Sequence, residues 1–503
     1  MDREEARAKA ARVTRREFLQ AGAALGAAAA GMLSAQSANA ALPPVPGEPN
    51  MRVGARELVV QPVLTYALPQ RRPKRSWRSW GGVQTRQALA EECARIAREL
   101  DELSASANFG LRFLPLQKVA SAEQAKAAAA SEAQVLLIYA SGGGTNLLNT
   151  LAAPKKPMVF FIRHYSGPYY LWHEIVHARF LRSHSDRVAQ PAADVDDVVV
   201  DDLAGVRWRL QALYGLRNVL GRRIVCIGGP GGWSCPKAPE LARERFNLDM
   251  VTVPIPELNS MIEAARKDKL LLYQCKRDAR RYLSSPGVTL KTTFDAVAEA
   301  FLLARLFYKL MADHDAQAIT VRGCMGSYAG IMPCLTLTLI NDSGYMAYCE
   351  SDFVVIPSGI LLHFICGKPT YFCNPTFPHD GKMMFAHCTA PRRMNGKTLE
   401  PVQVVTHYES DHGAATHVEF KKGQLLTIIK PDFEATRWLA ITGKIVGTPF
   451  LPTCRAQVEV ELSADCEEVA RNLRGFHCML AYGDYTKHVR YAAKKVGIEV
   501  QVL

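Results

Sequence analysis

Four side chains in the last third of this 503-residue chain have the chemistry to hold a cation or move a proton. They are Glu350 in Tyr348-Cys349-Glu350-Ser351-Asp352, Asn374 in Phe372-Cys373-Asn374-Pro375, His387 in Ala386-His387-Cys388-Thr389, and His477 in Gly475-Phe476-His477-Cys478. One carboxylate and two imidazoles suit a mid-series divalent ion such as Mn2+, with positions left open for substrate oxygens. The amide at 374 can coordinate through oxygen but cannot accept a proton. Each position has a cysteine neighbour: Cys349, Cys373, Cys388 and Cys478. Strand alternation predicts that these thiols face the packing side, behind the site.

A competing constellation is His173-Glu174-Ile175-Val176-His177, a HExxH match in the helical stretch 170–181. Imidazoles at i and i+4 share a helix face and can share a zinc ion, with Glu174 acting on bound water. Asp196, Asp197, Asp201 or Asp202 would supply the third ligand of a secreted zinc metallopeptidase. The longer form of the motif fails, because no glycine stands three residues beyond His177 and His184 falls one position late.

These groups need elements to position them. From about residue 56, short apolar runs (58–68, 111–116, 134–140, 157–164) alternate with helical stretches such as 84–103, which predicts parallel strands covered by helices. A second series begins at 223–228 and continues through 250–254 and 318–322, with helices at 239–246, 255–267 and 294–312. The expectation is α/β: two tandem doubly wound, Rossmann-like or flavodoxin-like domains at 56–215 and 216–345. Beyond 345 the pattern alternates as antiparallel strands do, at 402–407, 415–420, 425–429 and 457–462, before a closing helix at 485–495. This predicts a β-rich, barrel-like C-terminal domain over 346–503 that carries most of the site.

The composition is 48% hydrophobic and 22% charged, which excludes a wholly disordered, collagenous or polytopic membrane protein. Residues 1–40 read as an address. Thr14-Arg15-Arg16-Glu17-Phe18-Leu19 precedes an Ala/Gly-rich apolar run at 21–33 and the small-x-small site Ala38-Asn39-Ala40, a pattern that resembles a twin-arginine signal peptide. Export to the periplasm or medium is expected, with a linker at 41–55 and no stable membrane anchor. The segment holds six Lys/Arg and four Asp/Glu, so the chain's net charge of +13 falls only to +11 without it. Thirteen cysteines with no CxxC do not read as a disulfide framework.

The segment 349–375, the element His387-Cys388-Thr389-Ala390-Pro391 and the stretch from His477 to Val500 resemble the L-fucose isomerase and L-arabinose isomerase superfamily. The 24-residue spacing from Glu350 to Asn374 matches that between the family's two acidic metal ligands, and Gly367 sits where a family glycine does. The resemblance implies an aldose–ketose isomerase working through an enediol(ate), with Glu350 as ligand and base, Asn374 in the second catalytic and metal position, and His387 and His477 as further ligands. It also implies a homo-oligomer. A catalytically weakened sugar-binding homologue is the alternative, because Asn374 stands where the family has a carboxylate.

Further residues are assigned to the substrate. In the basic run 71–80, Trp77 can stack on a sugar and Arg78 can read an acidic group; an exported address makes nucleic acid an unsuitable partner for that run. Gly143 and Gly144, in the turn Ser141-Gly142-Gly143-Gly144-Thr145, offer backbone amides where a helix begins, and Arg392 follows Pro391. A similar turn, Gly228-Gly229-Pro230-Gly231-Gly232-Trp233, follows a later strand. Neither matches GxGxxG, so no dinucleotide is expected.

Overall fold

The computed structural model describes residues 42–77, 82–142, 144–167, 193–323 and 328–503, together with Val176 and Phe180. Six strands form the first sheet: β1 Leu58–Tyr66, β2 Leu111–Phe113, β3 Gln117–Val119, β4 Val135–Ser141, β5 Met158–Ile162 and β6 Val198–Val200. All pair in parallel, in the order β2-β1-β4-β5-β6, with β3 also on β1. Every residue of β4 is buried, as a central parallel strand covered on both faces requires. The helix Arg86–Ser106 starts at Thr85, whose hydroxyl caps Ala88 N–H, and it turns Ile96, Leu100 and Leu103 inward at helical spacing.

In the second series, β7 (Arg223–Ile227) and β8 (Asp249–Val253) are followed by β9 (Val288–Leu290), which leaves the sheet, and by β10 (Ala318–Val321) and β11 (Met346–Tyr348). The parallel order is β11-β10-β7-β8. This sheet therefore runs a few residues past position 345.

The last strands are β12 Tyr371–Pro375, β13 Lys382–His387, β14 Val402–Val405, β15 Ala415–Val418, β16 Leu425–Pro431, β17 Arg437–Gly447, β18 Ala456–Leu462, β19 Cys478–Tyr482 and β20 Glu499–Val502. Six of them close a ring of antiparallel pairs, β12-β13-β18-β17-β16-β19 and back to β12. This is a closed antiparallel barrel with no free edge; β20 adds in parallel outside β17. β14 pairs with β15 and, in parallel, with β9, so a small fourth sheet ties the two regions together.

The helix Ile356–Cys366 is buried all round, and its Gly359 lies against the Met479 side chain of β19. Met479 thus faces outward to that helix, and Cys478 and Leu480 face the barrel interior. Gly367 ends the helix at φ +62, the left-handed cap expected of glycine. Among the described residues no helix is long and apolar enough to cross a membrane, and no disulfide is formed.

Candidate metal centre

The site forms where the C-terminal ends of β7 and β11 meet one end of the barrel. Directly after β11 the chain bends sharply: Glu350 and Ser351 both adopt left-handed backbone conformations, at φ +64 and +48. Such conformations cost a non-glycine residue about 1 kcal/mol or more each and persist only when neighbours impose them. The restraint is the glycine-rich turn after β7. Gly231 N–H donates to Ser351 O at 3.1 Å, Phe353 N–H donates to Gly231 O at 3.1 Å, and Gly231 bridges Asp352 in parallel. The carboxyl ends of parallel strands are where open α/β sheets bind ligands.

The bend points the Glu350 carboxylate between two imidazoles. His477 Nε2 lies 3.1 Å from Glu350 Oε2, and His387 Nε2 lies 3.4 Å from Oε1. Trp233, from the β7 turn, donates its indole N–H to Glu350 Oε2. Asp352 accepts from His477 Nδ1 at 2.7 Å, and Thr389 Oγ1 lies 3.1 Å from His387 Nδ1. Phe372 packs on both rings, its centroid 4.3 Å from that of His477 and 5.0 Å from that of His387.

The hydrogen bond to Asp352 keeps the proton on Nδ1 of His477 and turns the Nε2 lone pair toward Glu350. Both Nε2 atoms are buried without a hydrogen-bond partner. Both imidazoles thus face the carboxylate through Nε2, an arrangement that is favourable with a proton or a cation between nitrogen and oxygen. Burial opposes the charge on Glu350, but the two imidazoles outweigh it and hold the carboxyl well below its usual range. Burial likewise opposes a charged His477, yet Asp352 and Glu350 raise its pKa above the ordinary value. Ligand atoms about 2.1 Å from one ion lie roughly 3.0–3.5 Å apart, the range in which each imidazole lies from its own oxygen of Glu350, but His477 is not among the described ligand atoms that converge as one group. Cys349, Glu350 and His387 present ligand atoms all within 4.8 Å of one another. This buried group could hold a metal ion.

Three of the four neighbouring cysteines lie behind the site as expected. Cys373 and Cys478 oppose each other inside the barrel with Sγ atoms 3.6 Å apart, and Cys388 packs with Cys334 and Cys454. Cys349 does not follow this pattern: alternation holds for extended backbone, and the chain has begun its left-handed bend by Glu350.

The remaining assignments divide. Asn374 stands one register step beyond the Cys373–Cys478 pair, opposite His477, and lines an adjoining groove. Arg392, expected at a substrate, is instead fully buried. Its Nε donates to Glu400 O at 2.9 Å, its backbone N–H donates to Asp342, its guanidinium stands over the Tyr282 ring, and both terminal nitrogens are buried without a hydrogen-bond partner. Trp77 is half-buried, and Gly144 caps the helix Thr145–Ala152 at the end of β4 in the first sheet. Arg78, Gly143 and the HExxH residues His173, Glu174 and His177 lie outside the described residues. Of the acids offered as a third zinc ligand, Asp197 binds Tyr491 and Lys495, Asp196 binds Lys494, and Asp201 accepts from the backbone at 164–166.

Sequence reasoning missed Trp233, Phe476 and the orienting role of Asp352. The available signal for Trp233 was its glycine-rich turn after a parallel strand, a place where side chains from distant segments are brought together. In comparisons with known proteins, no family model and no curated protein matches the chain.

Proposed function

We propose that the protein is an exported, metal-dependent aldose–ketose isomerase-like enzyme whose centre is Glu350, His387 and His477, with Asn374 beside it. The observation that carries this reading is the wedging of one carboxylate between two unpartnered imidazole nitrogens from opposite ends of the C-terminal region. Mn2+ is the ion that two imidazoles and a carboxylate suit; the nearby Cys349 thiol adds a softer donor that would favour zinc if it ligates. A divalent ion bound here supplies positive charge against the carbonyl and hydroxyl oxygens of a sugar. Glu350, kept ionised by its neighbours, accepts a proton from one sugar carbon and returns it to the next. Trp233 N–H fixes the carboxylate's orientation, and Phe372, Phe476 and the Trp233 ring screen the two imidazoles from water.

The depressed pKa of Glu350 also makes it a weak base, and Asn374 cannot share the work. This favours a slow enzyme, and it supports the second reading of a sugar-binding homologue without turnover. The two parallel sheets are taken in this proposal as Rossmann-like layers of a three-domain isomerase plan, and assembly into a homo-oligomer belongs to the same reading.

The test is a Mn2+ titration followed by incubation with aldoses in D2O, reading ketose formation and deuterium uptake at the carbon next to the carbonyl. Wild-type protein is expected to bind one ion per chain and to label the sugar, with Glu350→Gln losing both. Sugar binding without labelling selects the binding protein. Absence of any ion dependent on Glu350 and His477 removes the proposal.

A further inference from the structure

Beside the carboxylate–imidazole cluster runs a groove of about 630 Å³, lined among others by Asn374, Phe377, Lys430, Phe433, Arg474 and Phe476. Its size is that of a small-molecule site. Its walls are aromatic and open to solvent: Phe377 is 72% exposed and Phe476 40%, and Phe476 stacks on Trp233 with ring centroids 5.0 Å apart. Exposed rings along a concavity present flat apolar faces of the kind that pack on the C–H face of a sugar ring.

The charges in the groove are not balanced by one another. Asp432 is spent on its own turn, with Oδ1 accepting from Thr436 N–H at 3.0 Å and Arg437 N–H at 3.1 Å and Oδ2 accepting from Thr436 Oγ1 at 2.8 Å. Lys430, almost fully buried at the groove wall, donates to Phe476 O at 2.9 Å, and its burial lowers its pKa. Arg474 makes no hydrogen bond or ion pair among the described residues, and its Nε is buried without a partner. Two deeply buried arginines elsewhere are engaged by contrast, Arg163 with Glu92 and Glu99 and Arg222 with Gln317 and Asn218.

Arg474 is also fixed in place. Gly475 sits at φ +55, and a Cβ there would meet Pro431 O at 2.2 Å, so the chain from Arg474 to Phe476 is pressed against the end of β16. His477 of the cluster follows directly.

We propose that this groove receives the non-reacting end of the substrate and that Arg474 binds an anionic group there, which makes the substrate an acidic sugar of the uronate class rather than a neutral aldose. The inference rests on the isomerase-like reading and adds to it a specificity-determining residue. The Arg474 guanidinium pairs with the carboxylate, Lys430 reinforces the positive field, the Asn374 amide meets a hydroxyl, and the phenylalanine rings hold the ring face.

Calorimetric titration of the Mn2+-loaded full chain with glucuronate and with glucose provides the test. Wild type is expected to bind glucuronate at least tenfold more tightly than glucose. Arg474→Gln should bring that ratio close to one, and Arg474→Lys should restore part of it. Phe377→Ser, on an exposed ring, should weaken both sugars and leave the ratio intact, which separates stacking from charge recognition. An equal affinity for the two sugars in wild type, or a ratio unchanged in Arg474→Gln, overturns the proposal. Failure of the isomerase-like reading looks different: the uronate preference and its dependence on Arg474 survive, but no ion depends on Glu350 and His477. Ion binding and turnover of neutral aldoses without uronate preference remove the groove assignment alone.

Discussion

Asp352 touches no proposed ligand atom, yet it decides what His477 can do. By accepting from Nδ1 it directs the Nε2 lone pair at Glu350, and by its charge it helps raise the imidazole's pKa. Asp352→Asn keeps the shape and removes the charge. Mn2+ affinity is expected to fall about 10- to 100-fold, and the His477 pKa, followed by NMR, should drop. Unchanged values for both would show that His477 is oriented by packing on Phe372 alone. Proton and metal compete for the same Nε2, so metal affinity should weaken as pH falls through the His477 pKa. The site residues were legible one at a time as residue types. Their mutual geometry was not, because Glu350, His387 and His477 are separated by long stretches of chain and meet through the bend at 350–351.

Two left-handed glycines show how an element holds the site. Gly381, at φ +73 in the turn between β12 and β13, has nothing within 4 Å of the Cβ position; Gly475, at φ +55, has Pro431 O at 2.2 Å. Gly381→Ala should therefore cost only the conformational penalty, about 1–2 kcal/mol in chemical denaturation, and leave Mn2+ binding intact. Gly475→Ala must also displace the 474–477 loop, so it should cost more and weaken Mn2+ binding as well. Equal losses in the two variants would refute this account of the loop. Most parallel strands and their covering helices were readable from apolar runs and helical spacing. The helix Ile356–Cys366 was not, because burial on every face erases its period. Barrel strands β12 and β19 were missed for a related reason: in β19 all five residues are buried, and in β12 the first three. Buried on both faces, they lack the alternation that marks a half-exposed strand.

The molecule as a whole is held together across its regions by buried polar groups as well as by apolar packing. The helix Thr486–Lys494 reaches back to the first sheet through Tyr491 Oη, which donates to Asp197 at 2.6 Å, and through Lys494, which pairs with Asp196 at 2.6 Å. The helix Ile356–Cys366 packs on the helix Leu203–Val219, and His363 lies buried in it. Burial, aided by the Arg52 and Arg222 cations, pushes the His363 pKa down to about 4. An unfolded histidine titrates near 6.5, so between about pH 6.5 and 4 the unfolded chain takes up a proton that the folded chain refuses. Stability must fall as pH drops through that window, by roughly 3 kcal/mol for this residue. His363→Gln should be less stable at pH 7 but lose less on acidification, read from urea midpoints at pH 7 and pH 4.5. Parallel pH profiles for the two proteins would exclude His363 as the group responsible.

Residue types and local periodicity, taken alone, determined the α/β character of residues 56–345, the β-rich character of 346–503, and which side chains had metal-ligating chemistry. These properties are local, since a strand or helix declares itself through its own spacing. Closure of the barrel, the crossing of β9 to β14, the burial of Arg392 and the arrival of Trp233 at Glu350 were decided only in three dimensions. Each depends on which distant segments share a face. That is set by the packing of the whole chain, where apolar area must be buried and most buried polar groups find a partner.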